Sequence, residues 1–485
     1  MATIIKGSKQ DYELTIGLEV HAQVASQTKL FSPAPVMPLA EQNTCVDFID
    51  AGMPGMLPLL NFFCIEQAVK TGLAINAEIN KLSHFDRKHY FYPDLPQGYQ
   101  ITQFYEPIVK NGYLEITLED TSKKKIRIKQ IHLEQDAGKL IHDKKAGKTL
   151  IDLNRAGVAL MEIVSEPDIK SIHEANEYVK TLRAILREVG SSDADMEKGN
   201  FRCDVNISIA PIGSNILGTR CEIKNLNSFK SITRAIEYEI ERHLDIIESG
   251  GKVRQQTRLF DQNTGETRAL RDKEDSDDYR YCPDPDILPV PLTDEFIDSL
   301  RKSVPELPAA RAARYVASHA ITQKEADTIA FDKDLHEFFE AGLKICPDAK
   351  ILCSWLTSEL LGRLNKLELD ITTCKVSSAN LACLTNRIID GTISGKIAKD
   401  ILDDMLQSGK TPDEIIEQKG LKQLSDEGAI AAVVKQVLDA NPDKLAEYKA
   451  GKDKLFGFFV GECMKLSKGK ANPALLNNIL KDAMK

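Results

Sequence analysis

The sequence predicts an α+β cradle-like domain, a mixed or antiparallel sheet with helices, followed by an all-α helical domain and a small all-α tail. Three observations predict it. Up to about residue 290, short alternating strand patterns are interspersed with amphipathic helical ones. Residues 283–291 (PDPDILPVP) then break regular structure. Beyond them, Ala/Leu/Glu/Lys-rich helical periodicity runs almost without interruption. A chain of 485 residues exceeds what one core serves. The expected partition is 1–292, 293–408 and 409–485, with the second boundary at the Gly-Lys-Thr-Pro of residues 409–412.

In chain order, residues 16–21 (IGLEVH) read as a strand with Glu19 and His21 on one face and Leu18 and Val20 on the other. Residues 131–139 (IHLEQDAGK) alternate His132, Glu134 and Asp136 in the same way, and residues 160–167 (LMEIVSEP) isolate Glu162 among aliphatics. A helix is expected over residues 171–190, with a Ser171/Glu174 capping box and Gly190 as its stop. Residues 204–210 (DVNISIA), a Pro-Ile-Gly-Ser turn and residues 219–223 form a hairpin. A second helix covers residues 229–249 and stops at Gly250 and Gly251.

Composition bounds the function. An apolar fraction of 42% and a charged fraction of 28% suit a soluble globular protein. The most apolar stretch, residues 53–75, is interrupted by Glu66 and Lys70, and the first residues lack a secretory h-region, so a cytoplasmic location without membrane contact is expected. Ten cysteines without a CxxC pair argue against a disulfide framework or a four-cysteine zinc site. A net charge of −9 does not advertise nucleic-acid binding, yet the last 45 residues hold nine lysines against five acids. The Gly-Lys-Thr at 147–149 has His142 where a P-loop needs glycine, and no GxSxG or GxGxxG is present.

What remains is a set of acids embedded in apolar strands. An unpaired buried carboxylate costs several kcal/mol (roughly 2–7 even for neutral polar groups), so each needs a cation. Oxygen-rich sites with one imidazole suit Mg²⁺. Ion pairs with Arg155, Arg202 or Lys224 would serve as well, and spacing does not separate the two readings.

The motifs IGLEVHAQVASQTKLFSPAP (16–35), FDRKHYFYPDLPQGYQITQ (85–103), HLEQDAGK (132–139), LIDLNRAGVALMEIVSEPDI (150–169), NFRCDVNISI (200–209), EIKNLNSF (222–229), SDDYRYCPDPDILP (276–289) and VGECMKLSKGKANPALLN (460–477) closely resemble the B-subunit family of glutamyl/aspartyl-tRNA amidotransferases. They occur in the family's order along most of the chain. The resemblance implies a cradle domain with an ATP/Mg²⁺ kinase and transamidase site, a helical domain and a tRNA-binding tail. It implies work on mischarged Glu-tRNA(Gln) or Asp-tRNA(Asn), in company with an amidase-type A subunit (the glutaminase) plus a small C subunit. Glu19, His21, Glu134 and Glu162 become the catalytic and metal-site residues, with Asp204 as a further metal ligand. Lys88, Arg155, Arg202 and Lys224 become candidates for phosphate or substrate, and Lys465, Lys468 and Lys470 for tRNA. Gln135 stands where the family often has a second Glu, and only Cys45 precedes Met53-Pro54-Gly55, so no zinc is expected. The competing readings are a noncatalytic tRNA-presenting adaptor and a freestanding metal-dependent phosphohydrolase. An adaptor has no need of carboxylates in apolar strands, and a phosphohydrolase has no need of a basic helical tail.

The tail yields a prediction. Changing Lys465, Lys468 and Lys470 together to Ala raises the KM for mischarged tRNA and flattens its salt dependence, by roughly 0.7 to 0.9 log units for each phosphate interaction removed. ATP affinity stays as it was. A tRNA KM and salt slope equal to wild type leave helix-end charge compensation as the role of these lysines.

Overall fold

The computed structural model describes residues 3–143, 147–272, 276–421, 427–449, 451–467, 471 and 473–484. The chain divides into two compact units, Met1–Leu307 and Pro308–Lys485. The first holds a ten-stranded sheet. In chain order its strands are β1 (Ile4–Ile5), β2 (Tyr12–Gln23), β3 (Glu78–Ile79), β4 (Val109–Thr117), β5 (Lys123–Gln135), β6 (Ala159–Ser165), β7 (Phe201–Pro211), β8 (Cys221–Leu226), β9 (Gln256–Phe260) and β10 (Thr267–Asp272). They lie in the order β10-β9-β8-β7-β2-β6-β5-β4-β3, with β1 paired to β2. Every pair is antiparallel except β8 with β9. The expected α+β class and the hairpin of β7 and β8 are both present.

One face of this sheet is core. Leu18, Val20, Ile131, Leu133, Met161, Ile163, Cys203, Val205 and Ile223 are buried there in a single cluster. Helices α1 (Phe62–Ala74), α2 (Ile172–Val189) and α3 (Phe229–Glu248) contribute Ala68, Tyr178, Leu182, Ile232 and Ile236 to the same cluster. Fully burying such a side chain contributes about 1.5–3 kcal/mol. Helix α2 begins as expected, with Ser171 accepting from the Glu174 N–H at 3.1 Å, and ends at Gly190 with φ 73°. The capping box is only half formed. The Glu174 carboxylate turns instead to the Lys170 N–H and the Lys124 ammonium, both at 2.7 Å, because a charged partner on the sheet outcompetes a neutral N–H.

A separate three-stranded sheet of Asp86–His89, Tyr99–Thr102 and Cys282–Pro283 carries Lys88. The first unit runs past the proline-rich segment because α4 (Asp294–Ser303) buries Ile297 and Leu300 in its core. The second unit has two hydrophobic clusters. One includes Tyr315, Phe339, Leu356, Leu402 and Ile416; the other includes Ile430, Val434, Phe459, Cys463 and Leu480. Gly409 (φ 73°) to Pro412 is a tight turn between two helices of the first cluster, and the change of core follows it, between Ile416 and Ile430.

The long segment between β2 and α1 is pinned by a buried ion pair. Lys29, fully buried, donates to Asp50 Oδ2 at 2.9 Å and to the Leu153 carbonyl oxygen at 3.3 Å, and the Ser32 hydroxyl donates to Asp50 Oδ1 at 2.9 Å. Burial lowers the Lys29 pKa, and Asp50 opposes that shift. Asp50→Ala strands a buried ammonium and is expected to cost about 3–5 kcal/mol in urea unfolding, whereas Lys29→Met with Asp50→Leu costs far less. Equal losses in the two variants would refute a desolvated pair as the anchor.

Candidate metal and phosphate site

The opposite face of the sheet is polar over its centre, and strand register decides which groups meet. Glu162 on β6 lies opposite His132 on β5 and His21 on β2, and His21 lies opposite Arg202 on β7. One row along, Glu19 lies opposite Asp204. Directly opposed side chains are about 5 Å apart at Cβ, close enough for groups on three adjacent strands to share a site.

The Glu162 carboxylate sits between two imidazoles, 3.3 Å from His21 Nε2 and 3.1 Å from His132 Nε2. Glu134 is 3.6 Å from His21 and 3.7 Å from His132. Ligand atoms of His21, Glu134 and Glu162 all lie within 4.8 Å of one another. Burial alone lowers the His21 pKa, but Glu162 and Glu134 outweigh it and push it up to about 9; the same contest takes His132 to about 10. Burial raises Glu162, and the two imidazoles together hold it well below the usual carboxylate range. Glu19 goes the other way, raised by burial and by the Glu162 and Glu222 carboxylates. It accepts one hydrogen bond, from Asn206 Nδ2 at 2.8 Å.

Two positive charges are therefore called for around Glu134 and Glu162. Two imidazoliums supply them, and so would one divalent cation with the imidazoles neutral. Two carboxylates and an imidazole nitrogen around one point are a donor set that fits Mg²⁺. The neighbouring acids hold a cation of their own: Lys224 Nζ lies 2.6 Å from Asp204 and 2.9 Å from Glu222, and these carboxylates raise its pKa against burial. Asp204 is thus placed on Lys224, outside the three-residue group. Arg155 and Arg202 both bond Asp136, Arg202 at 3.0 Å. Lys88 Nζ stands 4.8 Å over the Tyr279 ring.

His21, Lys88, Glu134, Arg202, Asp204 and Lys224 line one cavity of about 670 Å³. Arg155 lines an adjoining apolar one with Met37 and Leu39. Lys465 is exposed in the last turn of the helix Leu455–Leu466, and Lys468 and Lys470 lie outside the described residues. The sequence pattern aligns His132 and Asp136 with Glu134 without assigning them a role, and it leaves Glu222 unmarked. The alternation His132-x-Glu134-x-Asp136 and the Glu222-x-Lys224 pair are the available signals.

Among the described residues one other metal-like grouping occurs, Cys221, Glu239 and His243, buried between β8 and α3. There Glu239 already accepts from Arg242 at 2.7 Å and Arg258 at 2.9 Å, so two guanidiniums neutralise it.

Residues 14–298 match the family model described as the GatB/GatE catalytic domain, and residues 337–484 match the one described as the GatB domain. The B subunit of the aspartyl/glutamyl-tRNA(Asn/Gln) amidotransferase from Wolbachia pipientis wMel is 54% identical over 477 residues, covering 98% of this chain and 99% of that protein. Its counterpart of the same description from Rickettsia conorii is 52% identical over 480 residues, covering 99% of each.

The charge argument makes two expectations for a divalent cation, read with Mn²⁺ as a probe. Glu134→Ala lowers its affinity at least about tenfold while the circular dichroism spectrum is retained. In the wild type, ligation requires His21 to shed its proton, so affinity rises with pH up to about 9 and binding releases protons near neutrality. Affinity unchanged in the variant and flat with pH would remove the metal reading.

Proposed function

The chain belongs to the family of aspartyl/glutamyl-tRNA amidotransferase B subunits, and on that premise we propose that its polar sheet face activates and amidates an amino-acid side chain carried on tRNA. The substrate is Glu-tRNA(Gln) or Asp-tRNA(Asn), and the products are Gln-tRNA(Gln) or Asn-tRNA(Asn). The observation that carries this reading is the convergence of His21, Glu134 and Glu162, the first two on the wall of a cavity that also presents Lys88, Arg202 and Lys224.

A carboxylate does not release oxide to ammonia at neutral pH. Transfer of the ATP γ-phosphoryl group to a side-chain oxygen makes that oxygen a leaving group and frees ADP. Ammonia then forms the C–N bond, the C–O bond to phosphate breaks, and the surplus proton leaves with phosphate or solvent. Such transfer is mostly a matter of position and charge. His21, Glu134 and Glu162 would hold Mg²⁺, with Glu19 one row away, and the ion would supply charge neutralisation to the nucleotide phosphates. Lys224 is kept charged and fixed by Asp204 and Glu222, which makes it a preorganised donor to phosphoryl or carboxylate oxygen. Arg202 is oriented by Asp136, and Lys88 is supported from below by the Tyr279 ring. His132, bonded to Glu162 from the far side, positions that carboxylate toward His21.

An amidase-type A subunit is proposed to furnish the ammonia, with a small C subunit to complete a heterotrimer. The cradle, the helical domain and the tRNA-binding tail belong to the same reading. Among the described residues no helix is long and apolar enough to cross a membrane, and a cytoplasmic site of action is proposed.

Amidation of mischarged tRNA tests the reading. The chain co-purified with its partners is expected to form Gln-tRNA(Gln) or Asn-tRNA(Asn) from glutamine only when ATP is present, and the chain alone to leave glutamine intact. Glu162→Gln is expected to lower ATP-dependent amidation by about 2.7 kcal/mol or more in barrier terms, a hundredfold, with tRNA binding retained. Full activity in that variant would refute the site, and glutamine hydrolysis by the single chain would refute the division of labour.

A further inference from the structure

Aromatic rings continue outward from the cavity along the loop that follows the strand Asp86–His89. Lys88, Tyr90 and Tyr279 line the cavity. Next to them in the chain, Phe91 and Tyr92 do not line it and are 69% and 59% exposed. Tyr92 is stacked on Tyr90, with ring centroids 5.0 Å apart and planes 26° from parallel. Arg280 stands 5.6 Å from the Phe91 ring. The loop is firmly built: the Tyr90 N–H donates to the Gly98 carbonyl oxygen at 3.0 Å, and the Gly138 N–H donates to that of Asp94 at 2.9 Å. Gly98 (φ 82°) is where the Phe91 ring approaches the backbone, 3.7 Å from the position a Cβ would take.

We infer that Phe91, Tyr92 and Arg280 form a stacking platform for the unpaired 3′-terminal nucleotides of the aminoacylated tRNA. This deepens the proposed function and rests on it. Flat exposed rings with cations between them bind bases by their π faces and phosphates by charge, without reading sequence. The rings are continuous with the cavity that the aminoacyl group would enter, where Lys88 stands over Tyr279, and Arg280 stands beside Phe91 outside it. The Tyr90–Tyr92 stack starts at the cavity wall and leaves it, with exposed Phe91 between them in sequence, which matches a short run of bases whose last member delivers its ester-linked side chain to the cavity. A single mononucleotide would occupy one ring.

The test is a two-by-two binding cycle with the assembled amidotransferase, wild type against Phe91→Ala/Tyr92→Ala. The ligands are intact tRNA and the same tRNA lacking its unpaired 3′ nucleotides. Loss of stacking is expected to weaken intact tRNA on the order of tenfold and to leave the shortened tRNA unaffected, with the salt slope unchanged because no phosphate contact is removed. Phe91→Trp/Tyr92→Phe retains wild-type affinity. If the alanine variant loses its far-UV spectrum, Phe91→Leu/Tyr92→Leu, which keeps apolar bulk and removes the rings, decides in its place. Equal weakening of both RNAs, no weakening, loss of ATP affinity, or loss of the partner proteins on purification would each overturn the platform. Failure of the wild-type complex to amidate mischarged tRNA would sink the underlying function. Amidation with an additive cycle would sink the platform alone.

Discussion

The arrangement depends on one constraint: the antiparallel register of β2 between β6 and β7. It sets Glu162 beside His21 and Asp204 beside Glu19 on a sheet whose other face is sealed by α1, α2 and α3. A one-residue slip of β2 would turn Glu19 and His21 into the core and Leu18 and Val20 into the cavity. The apolar packing of Leu18 and Val20 therefore enforces the position of the chemistry on the opposite face. Stability and site geometry are two faces of the same strand.

Charge on the polar face is arranged in two blocks that are balanced differently. Lys224 closes the Asp204/Glu222 block permanently, as a cation built into the chain. The Glu134/Glu162 block is balanced by two imidazoles, whose protons can leave to solvent when another cation takes their place. Glu19 lies between the blocks with its pKa raised and a single hydrogen bond from Asn206. A fixed cation beside an exchangeable one would suit the nucleotide site proposed above, which would bind and release a highly anionic ligand beside a constant donor.

The structural anchors around the site follow the same logic of satisfying what is buried. Lys29 and Asp50 hold the segment that leads away from β2, and Asp136 holds both Arg155 and Arg202 at the cavity rim. In the second unit no comparable buried charge cluster is needed among the described residues. Its two cores are mainly apolar helix contacts, with Arg311 buried against the Ala330 carbonyl oxygen, and other charges lie at helix ends, as at Thr411 with Glu414.

Much of this is legible in the chain itself. Alternation at residues 16–21 and 132–136 assigns faces, Ser171 and Gly190 delimit a helix, and the proline-rich 283–291 separates mixed from helical patterning, because each of these is a local property of backbone and side chain. The family motifs add only expected roles for Glu19, His21, Glu134 and Glu162. Local pattern does not say which strand pairs with which, since β2 meets partners more than a hundred residues away in sequence. Local alternation puts His132 on one face with Glu134 without giving it a role, and it leaves Glu222 unmarked. Register sets Asp204 against Lys224, and Glu174 leaves the expected capping box for Lys124. The sequence by itself determined which residues face the core and which bear chemistry. Only the tertiary structure decided which charges share a site, because that depends on long-range register and on the desolvation that burial imposes.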